Sequence, residues 1–178
     1  GCQFNAGVLT NITQDHLDYH KTYAEYARAK FKLFAFQGMG LAIVHHSCIQ
    51  GLIEQSGFID GALTAKDLVV YGGQNSFTGP VLDMNHRLIS GQMQSRGLLQ
   101  SIQLLVEDIQ QSQLQQQRKI NTETQLVGLY NLDNLMALSA VLFGFGVSFE
   151  DVQAAIASVR SPEGRMEVVQ VSEGFGPK

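Results

Sequence analysis

The sequence predicts a three-layer α/β fold in which a mixed, mainly parallel sheet has helices on both faces. Two short apolar runs, Leu41–Val44 and Leu68–Tyr71, have the composition of strands that are buried on both faces. A helical pattern precedes the first run, so helix and strand alternate as they do in α/β proteins. Between Gly79 and Val106 the pattern becomes strand-like, and Leu88–Gly91 and Leu98–Val106 are predicted as antiparallel strands.

The amino-terminal elements follow in order. Phe4–Thr13 is an apolar stretch that ends in polar residues, which predicts a strand. Thr22–Phe36 carries aromatic, Ala and Leu residues at helical spacing and meets glycines near residue 38, which predicts a helix that ends there. Ile49–Gln55 is predicted as a further helix between the two buried strands.

The second half of the chain predicts a loop and two helices. Glu107–Gln117 is rich in glutamine, a composition typical of solvated segments, and we interpret it as a loop. Leu132–Phe145 is an apolar helix that begins behind Asn131. Phe149–Val159 is a second helix, and Ser148 is its predicted N-cap.

Composition excludes several classes of protein. The 178 residues carry 12 Lys and Arg against 16 Asp and Glu, so the chain lacks the basic excess of a nucleic-acid-binding protein. Its two cysteines are too few for a disulfide framework, which favours the cytoplasm. No apolar run has the length of roughly 20 residues that a membrane helix requires, so we expect no membrane partner.

The densest polar cluster is Asp15–His20, which follows the first predicted strand. Ligands of α/β sheets gather at the carboxyl ends of strands, and Asp and His side chains suit a divalent cation, magnesium rather than zinc, or general acid–base chemistry. The alternative is that Asp15 and Asp18 cap the next helix. His45 and His46 are adjacent on a strand and would face opposite sides, so we interpret this pair as structural.

Two further positions could carry chemistry. Lys30 has small neighbours on its predicted helix, so a semi-buried amine with a lowered pKa is one reading and a solvated lysine is the other. Asn131 and Asn134 are three residues apart at a helix start, and their amides offer the donor and acceptor that an adenine edge requires. An N-cap is the alternative for Asn131. Arg165 follows a helix and suits a phosphate or the solvent.

Four motifs in this order resemble the Mur ligase family, and within it the enzymes that add the third amino acid to UDP-N-acetylmuramoyl-L-alanyl-D-glutamate. Residues 10–20 read TNITQDHLDYH, as in T-N-(L/I)-(S/T)-x-D-H-L-D-Y-H, and residues 26–34 resemble Y-x-x-A-K-x-x-L-F. Residues 128–135 resemble G-x-(F/Y)-N-x-x-N-L, and residues 164–167 read GRME. The resemblance spans nearly the whole chain but is loose between residues 41 and 125.

The resemblance implies an ATP-dependent, magnesium-dependent ligase of peptidoglycan synthesis. It implies that His16 is a ligand of the second magnesium ion and that Lys30, carbamylated by carbon dioxide, holds the same ion. Asn131 and Asn134 would contact adenine, and Arg165 would contact the phosphates or ribose of ATP. In such ligases ATP phosphorylates the D-glutamate carboxylate, and the incoming amine attacks the acyl phosphate. The partners would be the UDP-linked dipeptide and a free amino acid.

The sequence also departs from the family. It contains no G-x-x-x-x-G-K-(S/T) phosphate loop, and it has His45–Cys48 where the family shows N-x-D-D, so we assign no nucleotide contact there. We therefore expect residues 1–178 to be the later part of the central ATP-binding domain, with the phosphate loop, the UDP-substrate domain and the amino-acid domain outside the chain. Such a piece would be inactive alone and prone to self-association through exposed sheet surface.

Two other functions remain open at this point. Other Mur ligases, folylpolyglutamate synthetase and cyanophycin synthetase share the same core plan. A catalytically silent relative that acts as a binding module would retain the sheet and lose the chemistry. The sequence does not distinguish diaminopimelate from lysine as the amino acid that is added.

Overall fold

The computed structural model describes residues 4–12, 22–36, 38–49, 67–73, 85–96 and 99–161. In these residues six strands form one sheet in the order β1 to β6. Strands β1 to β4 are parallel, and β5 and β6 continue the sheet in antiparallel orientation. The strands are β1 (Ala6–Leu9), β2 (Leu41–His45), β3 (Asp67–Tyr71), β4 (His86–Arg96), β5 (Leu99–Gln110) and β6 (Gln113–Thr124). The predicted mixed, mainly parallel sheet is confirmed.

Three α-helices pack against this sheet in the described residues. They are α1 (Tyr23–Phe31), which continues as a 3₁₀-helix (Lys32–Ala35), α2 (Leu129–Gly144) and α3 (Phe149–Ser158). The Thr22 side chain caps α1 and Ser148 caps α3, each accepting a backbone N–H three residues later. None of these helices is both long enough and apolar enough to cross a membrane.

Side chains that alternate along β2 and β3 divide the core into two clusters, one on each face of the sheet. Ile43 and Tyr71 belong to the cluster beneath α2 and α3. Ala42 and Val70 belong to the cluster beneath α1. All four are buried, as the continuous apolar runs predict.

The antiparallel half of the sheet is covered differently. Helices α2 and α3 pack on one face of β4 to β6, where Ile102, Leu104 and Ile120 are buried. The opposite face carries polar side chains, and Gln103 donates a 2.8 Å hydrogen bond to Asn121 there. Among the described residues, the three-layer arrangement therefore extends over the parallel half only.

The interpretation of Glu107–Gln117 as a loop is wrong. β5 extends to Gln110, and β6 begins at Gln113. The two residues between them, Gln111 and Ser112, have φ angles of 48° and 59°, which is the geometry of a tight hairpin turn. The Gln117 side chain donates a 2.8 Å hydrogen bond across the strands to Glu107, so polar side chains can also contribute to pairing here and do not prevent a strand.

Smaller differences concern the ends of elements. β1 is shorter than the predicted strand, and the predicted first helix changes to 3₁₀ geometry at Lys32. Residues 46–49 form a helical turn directly after β2, whereas the rest of the predicted Ile49–Gln55 helix lies outside the described residues. α2 begins at Leu129, three residues before the predicted start, because Gly128, with φ of 99°, and not Asn131 is its N-cap.

The edge strand β1 has apolar side chains in contact with solvent. Val8 is 37% exposed, and Phe4 and Phe36 are 42% and 44% exposed while their rings pack edge-to-face at 5.2 Å. Exposed apolar surface beside a sheet edge is what the expected self-association requires. Sedimentation velocity of the isolated chain tests that expectation, and a stable monomer would contradict it.

Candidate functional site

The candidate site lies where the carboxyl ends of the parallel strands meet the amino-terminal end of α2. β2 ends at His45, and β3 ends at Tyr71, directly before Gly72 and Gly73. α2 approaches this edge with residues 131–134, which we call the asparagine turn. His45 Nε2 lies 3.6 Å from Asp133 Oδ1, so β2 and the asparagine turn are in direct side-chain contact. Ligands of α/β sheets bind at this kind of edge.

The His45 imidazole is held on several sides. Its Nδ1 is 2.7 Å from Ser47 Oγ, and its ring packs edge-to-face on Tyr71 with centroids 5.2 Å apart. The rings of His45 and His46 are also neighbours, with centroids 4.6 Å apart. The expectation that this pair faces opposite sides is wrong because the strand ends at His45 and the chain turns into a helical conformation at His46.

Gly72 makes room for these two imidazoles. Its φ is +108°, a conformation that L side chains rarely adopt. A Cβ at this position would lie 2.6 Å from His45 Nε2 and 2.7 Å from His46 Cδ2. The glycine therefore permits both the turn after β3 and the close approach of the histidine rings.

We expect Gly72→Ala to lower the free energy of unfolding by about 1–3 kcal/mol, because it combines backbone strain with a clash against the imidazoles. Gly73→Ala is the matched control. Gly73 also has a positive φ, +84°, but a Cβ added there would lie 3.9 Å from the nearest atom, Nε2 of His46. It should show the backbone strain alone and a smaller loss. Urea unfolding of both variants measures the difference, and equal losses would contradict the crowding at Gly72.

Burial sets the protonation of several groups at this edge. The pKa of His46 is lowered, first because burial penalises the imidazolium, and then because His45 repels it, while Asp133 acts in the opposite direction. Burial raises the pKa of the Cys48 thiol and of the Tyr71 hydroxyl. Cys48 and Tyr71 are therefore uncharged at neutral pH, and Cys48 is a poor nucleophile.

The lowered pKa of His46 predicts that stability falls in mild acid. The unfolded state binds a proton below an ordinary histidine pKa of about 6.5, whereas the folded state resists it, so stability present at pH 7.5 is lost as the pH falls toward 5.5. His46→Gln should reduce this loss. Urea unfolding at both pH values is the measurement, and an identical loss in wild type and variant would contradict the prediction.

The two amides of the asparagine turn differ: Asn131 makes a hydrogen bond within the chain, and Asn134 is exposed. Asn131 Nδ2 donates a 2.8 Å hydrogen bond to the Val127 carbonyl, which orients the side chain, while its Oδ1 remains an acceptor. Asn134, one helical turn further, is exposed. The N-cap alternative for Asn131 is wrong, since Asn131 is the third residue of α2. The pair can present a donor and an acceptor to a flat heterocycle.

Lys30 lies on α1 with an exposed side chain, so the semi-buried reading is wrong and the solvated one holds. Its Nζ is 5.4 Å from the centroid of the Tyr26 ring. The buried face of α1 is formed instead by Tyr26, Ala27 and Phe31.

Two predicted site residues, His16 and Arg165, lie outside the described residues. In the described part of the chain, no group of three or more His, Cys, Asp or Glu side chains is placed to hold a metal ion. The described residues thus include one of the two expected magnesium ligands, Lys30, and both expected adenine contacts.

A cavity of about 410 Å³ lies at the opposite edge, near the amino ends of β2 to β4. Beside it, Arg87 Nε donates a 2.5 Å hydrogen bond to Asp108, and the Arg118 guanidinium stacks 3.6 Å from the Phe149 ring centroid. These contacts join β4, β5, β6 and α3. Because the polar strand ends converge at the other edge, we place the candidate site there and interpret this ion pair as structural.

Sequence reasoning missed the contact between His45 and Asp133. The two residues are 88 positions apart, and neither belongs to a recognisable pair by spacing. The sequence did carry one signal: His45 lies at the end of a buried strand, and Asp133 lies near the start of a helix. An α/β topology brings the carboxyl ends of strands and the starts of helices to the same edge of the sheet.

Residues 1–142 match a family model described as the Mur ligase middle domain. A 2,6-diaminopimelate ligase of UDP-N-acetylmuramoyl-L-alanyl-D-glutamate from Geobacillus kaustophilus is 31% identical over 98% of this chain and 32% of its own length. The corresponding L-lysine ligase of Staphylococcus haemolyticus is 26% identical over 97% of this chain and 31% of its own. The chain thus spans about a third of the length of these relatives.

Solved structures agree on the fold. A structure of a UDP-N-acetylmuramoyl-L-alanyl-D-glutamate–2,6-diaminopimelate ligase superposes with a TM-score of 0.67 at 23% identity, over 97% of this chain and 32% of that one. A crystal structure of MurF from Acinetobacter baumannii gives a TM-score of 0.59 at 18% identity, over 95% and 32%. At these identities the two structures establish the architecture alone.

Proposed function

This chain belongs to the Mur ligase family, and on that premise we propose that it is the nucleotide-handling part of a ligase of peptidoglycan synthesis. In a full-length protein that contains it, the reaction would join diaminopimelate or lysine to UDP-N-acetylmuramoyl-L-alanyl-D-glutamate at the expense of ATP. Relatives named for each of the two amino acids match nearly the whole chain. The amino acid is therefore left open between them.

The asparagine turn is the observation that carries this proposal. It brings an oriented amide at Asn131 and an exposed amide at Asn134 to the carboxyl edge of the parallel sheet, in contact with the end of β2. Adenine offers a donor and an acceptor on one edge, which an asparagine amide can match. Binding the base there would direct the phosphates of ATP across the strand ends, where the Asp15–His20 motif follows β1.

We propose that magnesium ions bound near these strand ends would offset the negative charge of the transferring phosphoryl group. His16 and a carbamylated Lys30 would hold one of these ions. The neutral amine of Lys30 would form an N–C bond to carbon dioxide and release a proton, which would replace a cationic side chain by a carboxylate of the kind that magnesium prefers. Since Lys30 is exposed, carbon dioxide can reach its amine, but the carbamate would depend on the assembled metal site for stability.

The residues of this chain would then bind and orient the nucleotide. The D-glutamate carboxylate of the UDP-linked dipeptide would accept the terminal phosphoryl group of ATP, giving an acyl phosphate and ADP. The amine of the incoming amino acid would attack the acyl carbon, and phosphate would leave as the amide forms. Parts of the ligase outside this chain would bind the dipeptide and the amino acid.

The full-length protein purified from its source tests this function. We expect ADP release that requires the UDP-linked dipeptide together with either diaminopimelate or lysine, and that stops when magnesium is removed. The product should be longer than the dipeptide substrate by the one amino acid supplied. No ADP release with any combination of these substrates would contradict the proposed function.

A catalytically silent binding module is the second candidate. It is favoured by the segment His45–Cys48, which departs from the N-x-D-D pattern and puts two imidazoles at the strand end. Such a protein would show no ligation in the same assay. If it still bound an adenine nucleotide with a dissociation constant in the micromolar range, the binding-module function would replace the ligase.

A further inference from the structure

His45 occupies the junction between the sheet and the asparagine turn. It is the last residue of β2, and its side chain is 13% exposed. Through Nε2 it approaches Asp133, and through Nδ1 it contacts Ser47. Within the part of the chain that the structure describes, this polar contact with Asp133 joins the end of β2 to the amino-terminal part of α2.

The surroundings of His45 leave its ring little freedom. Tyr71 packs against one side, the His46 ring is 4.6 Å away, and Gly72 leaves the space beside Nε2 that any Cβ would fill. A ring held in this way loses little further conformational entropy when it binds Asp133. The imidazole is therefore a fixed point against which the Asp133 carboxylate is held.

Asp133 lies between the two asparagines that we propose to contact adenine. Successive residues of an α-helix are rotated by about 100° about its axis, so Asp133 projects toward a different side from Asn134. Asp133 can thus bind His45 while the Asn134 amide stays exposed. The contact would fix the rotation and position of the asparagine turn without occupying the surface that the base needs.

We propose that His45 is a positioning residue for the nucleotide: through Asp133 it holds the asparagine turn in the orientation that binds adenine. The inference rests on the proposed function. It adds a role for His45, a residue that departs from the family pattern. His45 raises the affinity for the base and takes no part in phosphoryl transfer. His45 therefore contributes to the KM for ATP and leaves kcat unchanged.

The described groups that face the His45 ring are the carboxylate of Asp133, the imidazole of His46, the hydroxyl of Ser47 and the ring of Tyr71. Of these, Asp133 is the group that belongs to α2, so the His45–Asp133 contact is the one that can hold the asparagine turn.

The test measures ATP kinetics of the full-length ligase with His45→Ala, His45→Gln and Asp133→Asn. We expect His45→Ala to raise the KM for ATP about fivefold to tenfold with kcat within twofold of wild type, as for the loss of one ground-state contact. His45→Gln keeps an amide that can donate to Asp133 and should recover most of the affinity. Asp133→Asn combined with His45→Ala should raise the KM for ATP no more than His45→Ala alone, because the His45–Asp133 contact is already lost.

A second readout separates positioning from a merely structural role. The dissociation constant for ADP, measured without the other substrates, should rise in His45→Ala by about the same factor as the KM for ATP and should return toward the wild-type value in His45→Gln. Loss of thermal stability together with an equal fall in kcat for all variants would overturn the proposal. So would a KM for ATP that stays within twofold of wild type in His45→Ala.

Failure of the positioning role and failure of the proposed function give different results. If wild-type ligase shows ATP-dependent amide formation but His45→Ala keeps the affinity for ATP, the positioning role is wrong and the proposed function stands. If the wild type forms no ADP with its substrates and binds no adenine nucleotide, both are wrong. An effect of Asp133→Asn cannot be attributed to misfolding, because the Asp133 side chain is 46% exposed and the replacement changes its charge but not its shape.

Discussion

Lys30→Ala is expected to lower kcat of the full-length ligase by about 100-fold or more, because the site would lose an oxygen ligand of a magnesium ion that offsets charge on the transferring phosphoryl group. Lys30 is exposed on α1, so the truncation removes no buried side chain. We expect the melting temperature to stay within a few degrees of wild type. Steady-state assay of ADP release at saturating substrates measures the effect.

Lys32→Ala is the matched control for this prediction. Lys32 is also exposed, carries the same charge and lies two residues further in the 3₁₀-helix that continues α1. It should keep kcat within about twofold of wild type, as is usual for surface substitutions. Equal activity of the two variants would mean that Lys30 has no part in the metal site.

Asn134→Ala is expected to raise the KM for ATP by about tenfold to 100-fold, because a buried edge of the bound base would lose its hydrogen-bonding partner. The Asn134 side chain is exposed, so its removal should not lower stability. Discrimination between ATP and GTP should fall at the same time, since the amide would read the edge by which the two bases differ.

Gln153→Ala provides the control for the loss of an exposed amide. Gln153 lies on α3 and is exposed, like Asn134. Its replacement should leave both the KM for ATP and the preference over GTP unchanged. If Asn134→Ala behaved in the same way, the asparagine turn would not be the adenine site and the proposed orientation of the nucleotide would be wrong.

The parallel half of the fold could be predicted from sequence because its strands are buried on both faces. Leu41–Val44 and Leu68–Tyr71 are continuous apolar runs, and their burial in two clusters follows from the alternation of side chains along a strand. The N-cap at Ser148 was equally readable, because a serine before two acidic residues is a strong local signal for a helix start.

The β5–β6 hairpin could not be predicted from its composition. Gln113–Gln117 lies on an edge strand with exposed side chains, so it has no apolar pattern to mark it as a strand. Its turn is formed by Gln111 and Ser112 in place of the Asn-Gly or Asp-Gly pairs that usually mark such hairpins. The register of β6 against β5 follows from this two-residue turn, so a turn that the sequence does not mark leaves the strand unmarked as well.

The candidate site was predicted in part. The spacing of Asn131 and Asn134 placed them correctly on one helix, but the contact of Asp133 with His45 depends on how α2 packs over the sheet. The small neighbours of Lys30 left both a semi-buried and a solvated amine open, and the structure shows Phe31 facing the core and Lys30 facing the solvent. Which of two adjacent helical residues faces the core is decided by packing against the sheet. The helical period alone does not distinguish between them.

A crystal structure of the full-length protein with magnesium and a non-hydrolysable ATP analogue tests the central claim most directly. The account predicts that the adenine lies against the amides of Asn131 and Asn134, at the carboxyl edge of β2 and β3, and that density for a carboxylate extends beyond Lys30 Nζ toward a magnesium ion. Adenine bound elsewhere, for example in the cavity at the amino ends of β2 to β4, would contradict it.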